Sequence, residues 1–551
     1  MLLVSTYELG HQPLRLAKAA AWLGRDGHDI ECIDLSVERL DIELARSVGA
    51  IACSIPMHTA AKLSLDLVEE MRSAGVKAPI AFFGLYAQVA SVAPAAKHVD
   101  AFFTDELERS LAAWAKSVGG GASGRRRKTN LLPDPAPLTY PTTKPDPAPL
   151  PDRSLLPQLD HYCRLIRGDE EQLTGYVEAT HGCSRRCLHC PVPVVYNGRV
   201  RRAGIDGVLG DIDQLAAAGA RHITFGDPDF LNAPRHAMRV VAGFREAFPK
   251  MTFDTTIKIE HIVRHRELFP TLADAGCLFV VSAFESASDA ILANLAKGHN
   301  RQDMVEAVAI LRSAGIEPRA SFVPFTPWTE PRDVSDLLAM AHALDLAANI
   351  DPVQWAIRLL VPPGSLLLPA HAGSGIFGPL DPANLSHRWE ANVPGMDALA
   401  RELEGVAAEL AYGETAPGSP KDSGNCGNSG GHVTEGQNGC SGEGRRGRGA
   451  CGSVDSRLPP GGSGASLGAS RTGSFEVIET AIASFFSAQG WTTLPSPFWT
   501  DPARLASFRR CHSTVPAELR PRLSEAWFCC AEPDRLQTAT GIEHRERPEG
   551  R

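Results

Sequence analysis

Short apolar runs alternate with longer amphipathic stretches over the first 117 residues. LLVSTY, HDIECIDLS, AIACSIP, PIAFFG and VDAFF each gather branched or aromatic side chains, the pattern of strands buried on both faces. Between them, LRLAKAAAWLGRDG and AAKLSLDLVEEMRSAG place apolar residues on a helical period. These stretches end at Gly27 and Gly75, positions suited to a left-handed C-terminal cap. Residues 1–117 therefore read as a small doubly wound α/β domain.

The pattern breaks over residues 118–160. GGGASGRRRK is flexible and basic, and PDPAPLTYPTTKPDPAPLPDR is proline-rich and extended. No aromatic residues interleave Arg125 to Lys128, so this stretch reads as a solvated linker rather than a phosphate-binding patch. A second strand–helix series fills residues 174–361: TGYVEAT, RHITFGD, TFDTTIKIE, CLFVVSAFES, PRASFVPF and VQWAIRLLV. Three of its helices close with Ala-Gly just before the next strand, at Gly219, Gly276 and Gly315. Six such units predict a partial (β/α)6 barrel of the TIM type, with its active face at the C-terminal ends of the strands. Residues 385–412 read as a helix that completes a core domain of residues 161–412. The Gly/Ser-rich tract 413–473 lacks large apolar side chains and reads as disordered. Helical patterning returns in FEVIETAIASFFSAQG and leads to the tail WFCCAEP, within a C-terminal region of residues 474–551.

Composition narrows the class. The chain has 551 residues, 43% hydrophobic and 22% charged, as expected for two or three globular domains. A net charge of -9 gives no electrostatic footprint for nucleic acid or an anionic membrane, which favours small-molecule or peptide substrates. No apolar run approaches a membrane span of about 20 residues. MLLVSTYELGHQ has no basic leader and reads as a buried strand, which makes a reducing cytoplasm the expected compartment. Its 13 cysteines are then metal ligands, redox thiols or core residues rather than disulfides.

After the first barrel strand comes EATHGCSRRCLHCPVP, which spaces Cys183, Cys187 and Cys190 by three and then two residues. Three thiolates on one short loop can hold a cubane and leave one iron without a protein ligand. The bland alternative is zinc, which needs a fourth ligand such as His181 or His189. His189 sits between two of the cysteines and cannot easily turn onto the same ion.

This loop resembles the signature of the radical S-adenosylmethionine (SAM) superfamily, with His189 at the aromatic position before the third cysteine. The similarity to that family's core spans residues 174–361. It implies a 4Fe–4S cluster on Cys183, Cys187 and Cys190, SAM on the open iron, and reductive cleavage to a 5′-deoxyadenosyl radical. A reductant such as flavodoxin or ferredoxin is implied with it. Gly226, Asp227 and Asp229 resemble the segment that meets the SAM amino group, the alternative being an acidic helix cap. Ser282 and Glu285 end the fourth strand, where Glu285 resembles the acid that binds the SAM ribose or orients its methionine part. Lys258, Arg319 and Ser321 are candidates for the SAM carboxylate or the substrate, with structural ion pairing as the equal alternative. VPPGSLL resembles the turn after the family's last strand.

An α/β domain ahead of the barrel resembles the cobalamin-binding class of the superfamily and admits cobalamin as a further cofactor. The usual Asp-x-His-x-x-Gly is missing: His11 in STYELGHQPLRL is out of frame. The tail WFCCAEP resembles the CUAEP/CCAEP-tail radical SAM proteins, some of which carry selenocysteine at the position of Cys530. That match implies a redox or ligand role for Cys529 and Cys530, against the alternative of half-buried thiols. An auxiliary metal site with Cys511 and His512 ranks below a redox pair. The rival class overall is an iron–sulfur electron relay or redox sensor with a thiol output.

Overall fold

Side-chain alternation builds the first sheet. In the computed structural model, which describes residues 1–104, 108–119, 148–415 and 471–525, five parallel strands form at the N-terminus. They are Leu2–Ser5, Glu31–Asp34, Ile51–Ser54, Ile80–Phe83 and Ala101–Phe103, in the spatial order second, first, third, fourth, fifth. Leu2, Val4, Ile51, Cys53, Ile80 and Phe82 enter one apolar cluster, and Leu3, Ala52, Ala81 and Phe83 enter another on the opposite face. Both faces are buried, which is why these strands read as unbroken apolar runs. Helices Leu14–Arg25, His58–Ser73 and Glu108–Gly119 supply the covers. The strand order reverses between the first and third strands, so the ligand crevice of such a sheet lies at their C-terminal ends.

The second sheet is a curled half-barrel. Its five parallel strands run Glu170–Val177, His222–Phe225, Thr252–Thr256, Cys277–Glu285 and Glu317–Phe322, each paired with the next. Gly219, Gly276 and Gly315 cap the preceding helices with φ of +103°, +103° and +80°. The sixth strand expected over VQWAIRLLV does not form. Pro352–Trp355 is a 3-10 turn, and one parallel bridge between Phe325 and Arg358 remains. Gln354 explains part of this: its Oε1 accepts from the Phe322 backbone N–H at 3.0 Å. A side chain thus takes the donor that a neighbouring strand would use.

Two antiparallel strands close the other edge. Arg164–Arg167 pairs with Glu170–Val177, and Arg522–Leu523 from the C-terminal region pairs with Arg164–Arg167. Leu165, Phe279, Val281 and Leu523 meet inside the half-barrel. The helix expected over 385–412 forms as Met396–Thr415 and packs against Arg471–Gln489. Among the described residues, no helix is long and apolar enough to cross a membrane. The expectations for most of the proline-rich linker, for the Gly/Ser-rich tract and for Cys529 and Cys530 fall outside the described residues.

Arg153 ties the two sheets together. Its guanidinium forms a buried bidentate pair with Asp211 at 2.7 and 2.9 Å, and donates to Gln12 Oε1 at 2.8 Å and the Tyr176 carbonyl at 2.7 Å. Tyr162 Oη donates to Asp34 Oδ2 at 3.0 Å, and Lys18 Nζ pairs with Glu178 at 3.1 Å. The C-terminal ends of the first sheet's strands therefore face the barrel.

Candidate functional site

The cysteine loop leaves the first barrel strand through Gly182, whose φ is +80° and where a Cβ would lie 2.3 Å from the Arg199 carbonyl. Only glycine fits there. Cys183 and Cys187 are buried, and Cys190 is half-buried. Asn232 Oδ1 accepts from Ser184 N at 3.1 Å and Ser184 Oγ at 2.9 Å, which pins the loop's start. Leu188 is pinned twice: its N–H donates to the Leu295 carbonyl at 3.0 Å and its carbonyl accepts from Ser365 Oγ at 3.3 Å. Ser365 belongs to the Pro-Gly-Ser turn, so that turn clasps the loop.

Two sulfurs already have donors. The Arg185 N–H reaches Cys183 Sγ at 3.5 Å, and Lys258 Nζ reaches Cys187 Sγ at 3.3 Å. Burial, with Asp229 nearby, pushes the Cys183 thiol up to about 11, so a metal must displace its proton on binding. Neither histidine offered for zinc joins the sulfurs. His189 Nε2 meets Glu285 Oε1 at 3.1 Å, while His181 faces Glu178 at 3.5 Å and Lys18 at 3.2 Å. Among the described residues, no three His, Cys, Asp or Glu side chains converge as a single ion requires. An all-thiol donor set with N–H and ammonium groups on its sulfurs suits an iron–sulfur cluster.

The candidate SAM residues fall into separate networks. Glu285 ends its strand at a register shift with φ of +63°. Its Oε1 accepts from His189 and, at 2.9 Å, from Lys297 Nζ. Burial works to raise this carboxyl, but Lys297 and His189 outweigh it and hold the group well below the usual range. Lys258 Nζ also donates to the Lys297 carbonyl at 3.3 Å, which joins Cys187, Lys258, Lys297, Glu285 and His189. Asp227 accepts from the Ala179 N–H at 3.0 Å and from Thr180 Oγ1, and burial pushes it up to about 6. Asp229 makes no helix-capping bond. Its Oδ2 lies 2.6 Å from His261 Nδ1. His261 in turn faces Arg185 at 2.9 Å, which links Asp229 to the cysteine loop.

Three candidates are engaged within the barrel. Ser282 Oγ donates to the Ile257 carbonyl at 2.6 Å, Ser321 Oγ to the Ser282 carbonyl at 3.5 Å, and Arg319 pairs with Asp351 at 2.7 Å. Sequence reasoning missed Lys297, Asn232 and His299. His299 is buried, and burial followed by the charges of Lys297 and Lys258 pushes it down to about 3.

Gly226 lies against Tyr176. A Cβ there would stand 2.0 Å from the Tyr176 hydroxyl, in a ring already packed 4.8 Å from His11. Gly226→Ala is expected to cost about 1–3 kcal/mol by overpacking, read as a lower midpoint in urea.

At the joint between the sheets, His11 is buried with Nδ1 3.0 Å from Cys163 Sγ. It is turned into the barrel rather than offered at the first sheet's crevice. Glu8 accepts from Ser54 Oγ at 3.2 Å, and burial pushes it up to about 8, with Arg15 opposing and Asp34 and Glu178 adding. The native state thus holds a proton on Glu8 that the unfolded chain releases near pH 4.5. Stability is expected to fall as pH rises from about 4.5 to 8. Glu8→Gln should melt like the wild type at pH 5 and above it at pH 8.5. Equal melting points at both pH values would contradict this.

Cys511 is fully buried and donates to the Val305 carbonyl at 3.4 Å, the contact of a core thiol rather than a metal ligand. The described chain ends at Glu525, whose side chain covers Gly10.

Residues 177–341 match the family model described as Radical SAM superfamily. The chain is 24% identical over 218 residues to the uncharacterized methyltransferase PH0819 of Pyrococcus horikoshii, covering 39% of this chain and 45% of that protein. It is 27% identical over 159 residues to tRNA-2-methylthio-N(6)-dimethylallyladenosine synthase of Geobacter metallireducens, covering 26% of this chain and 34% of that one. The chain thus spans less than half the length of these relatives. The solved structure of the cobalamin-dependent SAM radical enzyme OxsB with aqua-cobalamin bound aligns at TM-score 0.55 and 14% identity, over 76% of this chain and 69% of that one. At that identity the likeness concerns the fold.

Proposed function

We propose that this chain, whose residues 177–341 form a radical SAM domain, is an enzyme that reductively cleaves SAM and acts on a small-molecule or peptide substrate. The observation that carries the reading is the cysteine loop: three thiols on one turn, donors on two sulfurs, and both neighbouring histidines, His181 and His189, engaged with carboxylates. When bound, a 4Fe–4S cluster and SAM supply one-electron reduction and a 5′-deoxyadenosyl radical. Cys183, Cys187 and Cys190 would hold the cluster. Asn232, Leu295 and Ser365 fix the loop that carries them. Glu285 and Lys297 form a buried charged pair, joined to Cys187 through Lys258, that would orient the polar end of SAM. Asp227 and Asp229 stand at the mouth of the second strand, where the family's amino-group segment falls.

The decisive experiment is anaerobic reconstitution followed by dithionite and SAM. Release of 5′-deoxyadenosine supports the reading. An intact cluster that SAM does not perturb would favour an electron relay instead.

Methyl transfer is the narrower version. It is favoured by the N-terminal sheet order, whose reversal point is where sheets of this kind take a ligand, and by the methyltransferase and methylthio-synthase names of the relatives. Cobalamin is the cofactor this version needs. His11 is engaged with Cys163, so the first loop does not offer it to cobalt. Titration with hydroxocobalamin, read by absorbance after gel filtration, tests binding. Cys529 and Cys530 follow Glu525 by four and five residues in the sequence. They belong to the proposal as a redox or substrate-holding pair, tested by mass spectrometry of Cys530 adducts.

A further inference from the structure

We infer that Lys258 tunes the cluster: its ammonium hydrogen-bonds the ligating sulfur of Cys187 and makes the bound cluster easier to reduce. This rests on the cluster reading above and assigns Lys258 a role other than contacting SAM. Lys258 Nζ lies 3.3 Å from Cys187 Sγ and 3.3 Å from the Lys297 carbonyl. The second bond is to backbone, so the ammonium is held at the sulfur by a part of the chain that need not move when metal binds. Lys258 itself begins the helix Ile259–Arg264, and its N–H lies 3.5 Å from Asp229 Oδ1.

The ammonium is therefore placed at the sulfur by geometry: Lys258 holds Cys187, and Lys297, whose carbonyl it also holds, pairs with Glu285. Lys258 is 8% exposed, so water screens its charge at the sulfur poorly. A reduced cluster carries one more negative charge than an oxidised one. A fixed positive charge and a hydrogen bond at its thiolate therefore favour the reduced form, the lever by which proteins set cluster potentials.

The test is an EPR-monitored redox titration of the full, reconstituted chain without SAM, comparing wild type, K258M and K258R. K258M should show a more negative midpoint. At the wild-type midpoint its reduced-to-oxidised ratio should fall at least tenfold, equivalent to about 59 mV for a one-electron couple. K258R keeps a charged donor and should stay near the wild type. K258Q is measured beside K258M, and whichever neutral variant holds a full cluster decides. An unchanged midpoint in that variant overturns the inference, and weakened SAM binding alone would show Lys258 to be a SAM contact instead. A wild-type chain that holds no four-iron cluster would fail earlier, on the cluster reading itself.

Discussion

Replacing Glu285 with alanine should lower SAM cleavage at least 100-fold (roughly 3 kcal/mol at the barrier) and destabilise the fold by about 3–5 kcal/mol. Its backbone sits at φ of +63°, a conformation that a residue with a side chain holds only when its surroundings demand it. The demand comes from Lys297 and His189, which converge on one carboxylate oxygen inside the barrel. Without the carboxylate, the buried Lys297 loses its 2.9 Å ion pair and His189 loses its 3.1 Å partner. Glu285→Gln preserves the shape but not the charge, so it should recover part of the stability and little of the cleavage. Urea denaturation and equilibrium dialysis with SAM separate the two effects. A stable Glu285→Ala protein with unchanged SAM affinity would show that the network is dispensable.

Alanine at Cys183, Cys187 or Cys190 should each remove the cluster, with its brown absorbance, and reduce SAM cleavage to background. Three ligands leave no spare, so the three variants should behave alike. The core thiols supply the control. Cys53 and Cys277 are buried, and burial pushes the first up to about 12 and the second well above the ordinary range. Both sit in apolar clusters apart from the signature loop, Cys53 on a strand of the first sheet and Cys277 at the start of a barrel strand. Cys53→Ala and Cys277→Ala should therefore keep full iron content. Iron analysis beside the absorbance near 400 nm checks both halves. Loss of iron in either control would place the cluster elsewhere.

Much of the fold was legible because its signals are local. Apolar runs marked the strands of both sheets, and Ala-Gly at Gly219, Gly276 and Gly315 marked helix ends that need a left-handed residue. The cysteine spacing was visible because all three ligands lie on one loop. What was missed is long-range. Arg164–Arg167 is too short and polar to announce a strand, and Arg522–Leu523 reaches it only after the chain has crossed the whole barrel. VQWAIRLLV has strand composition, yet Pro352 and the Gln354 side chain turn it into a 3-10 segment. Lys297 lies in AKGHN, a loop with no apolar period, and its importance follows only from meeting Glu285 twelve residues earlier. Glu178 stands beside the signature in plain view, but Lys18 and Arg15 come from the other domain.

The most direct measurement is metal analysis and EPR of the anaerobically reconstituted, dithionite-reduced chain, with and without SAM. A four-iron cluster whose signal changes when SAM is added is the expected result, since an iron without a protein ligand is free to bind it. A single zinc with no iron, or a cluster signal indifferent to SAM, would contradict the account.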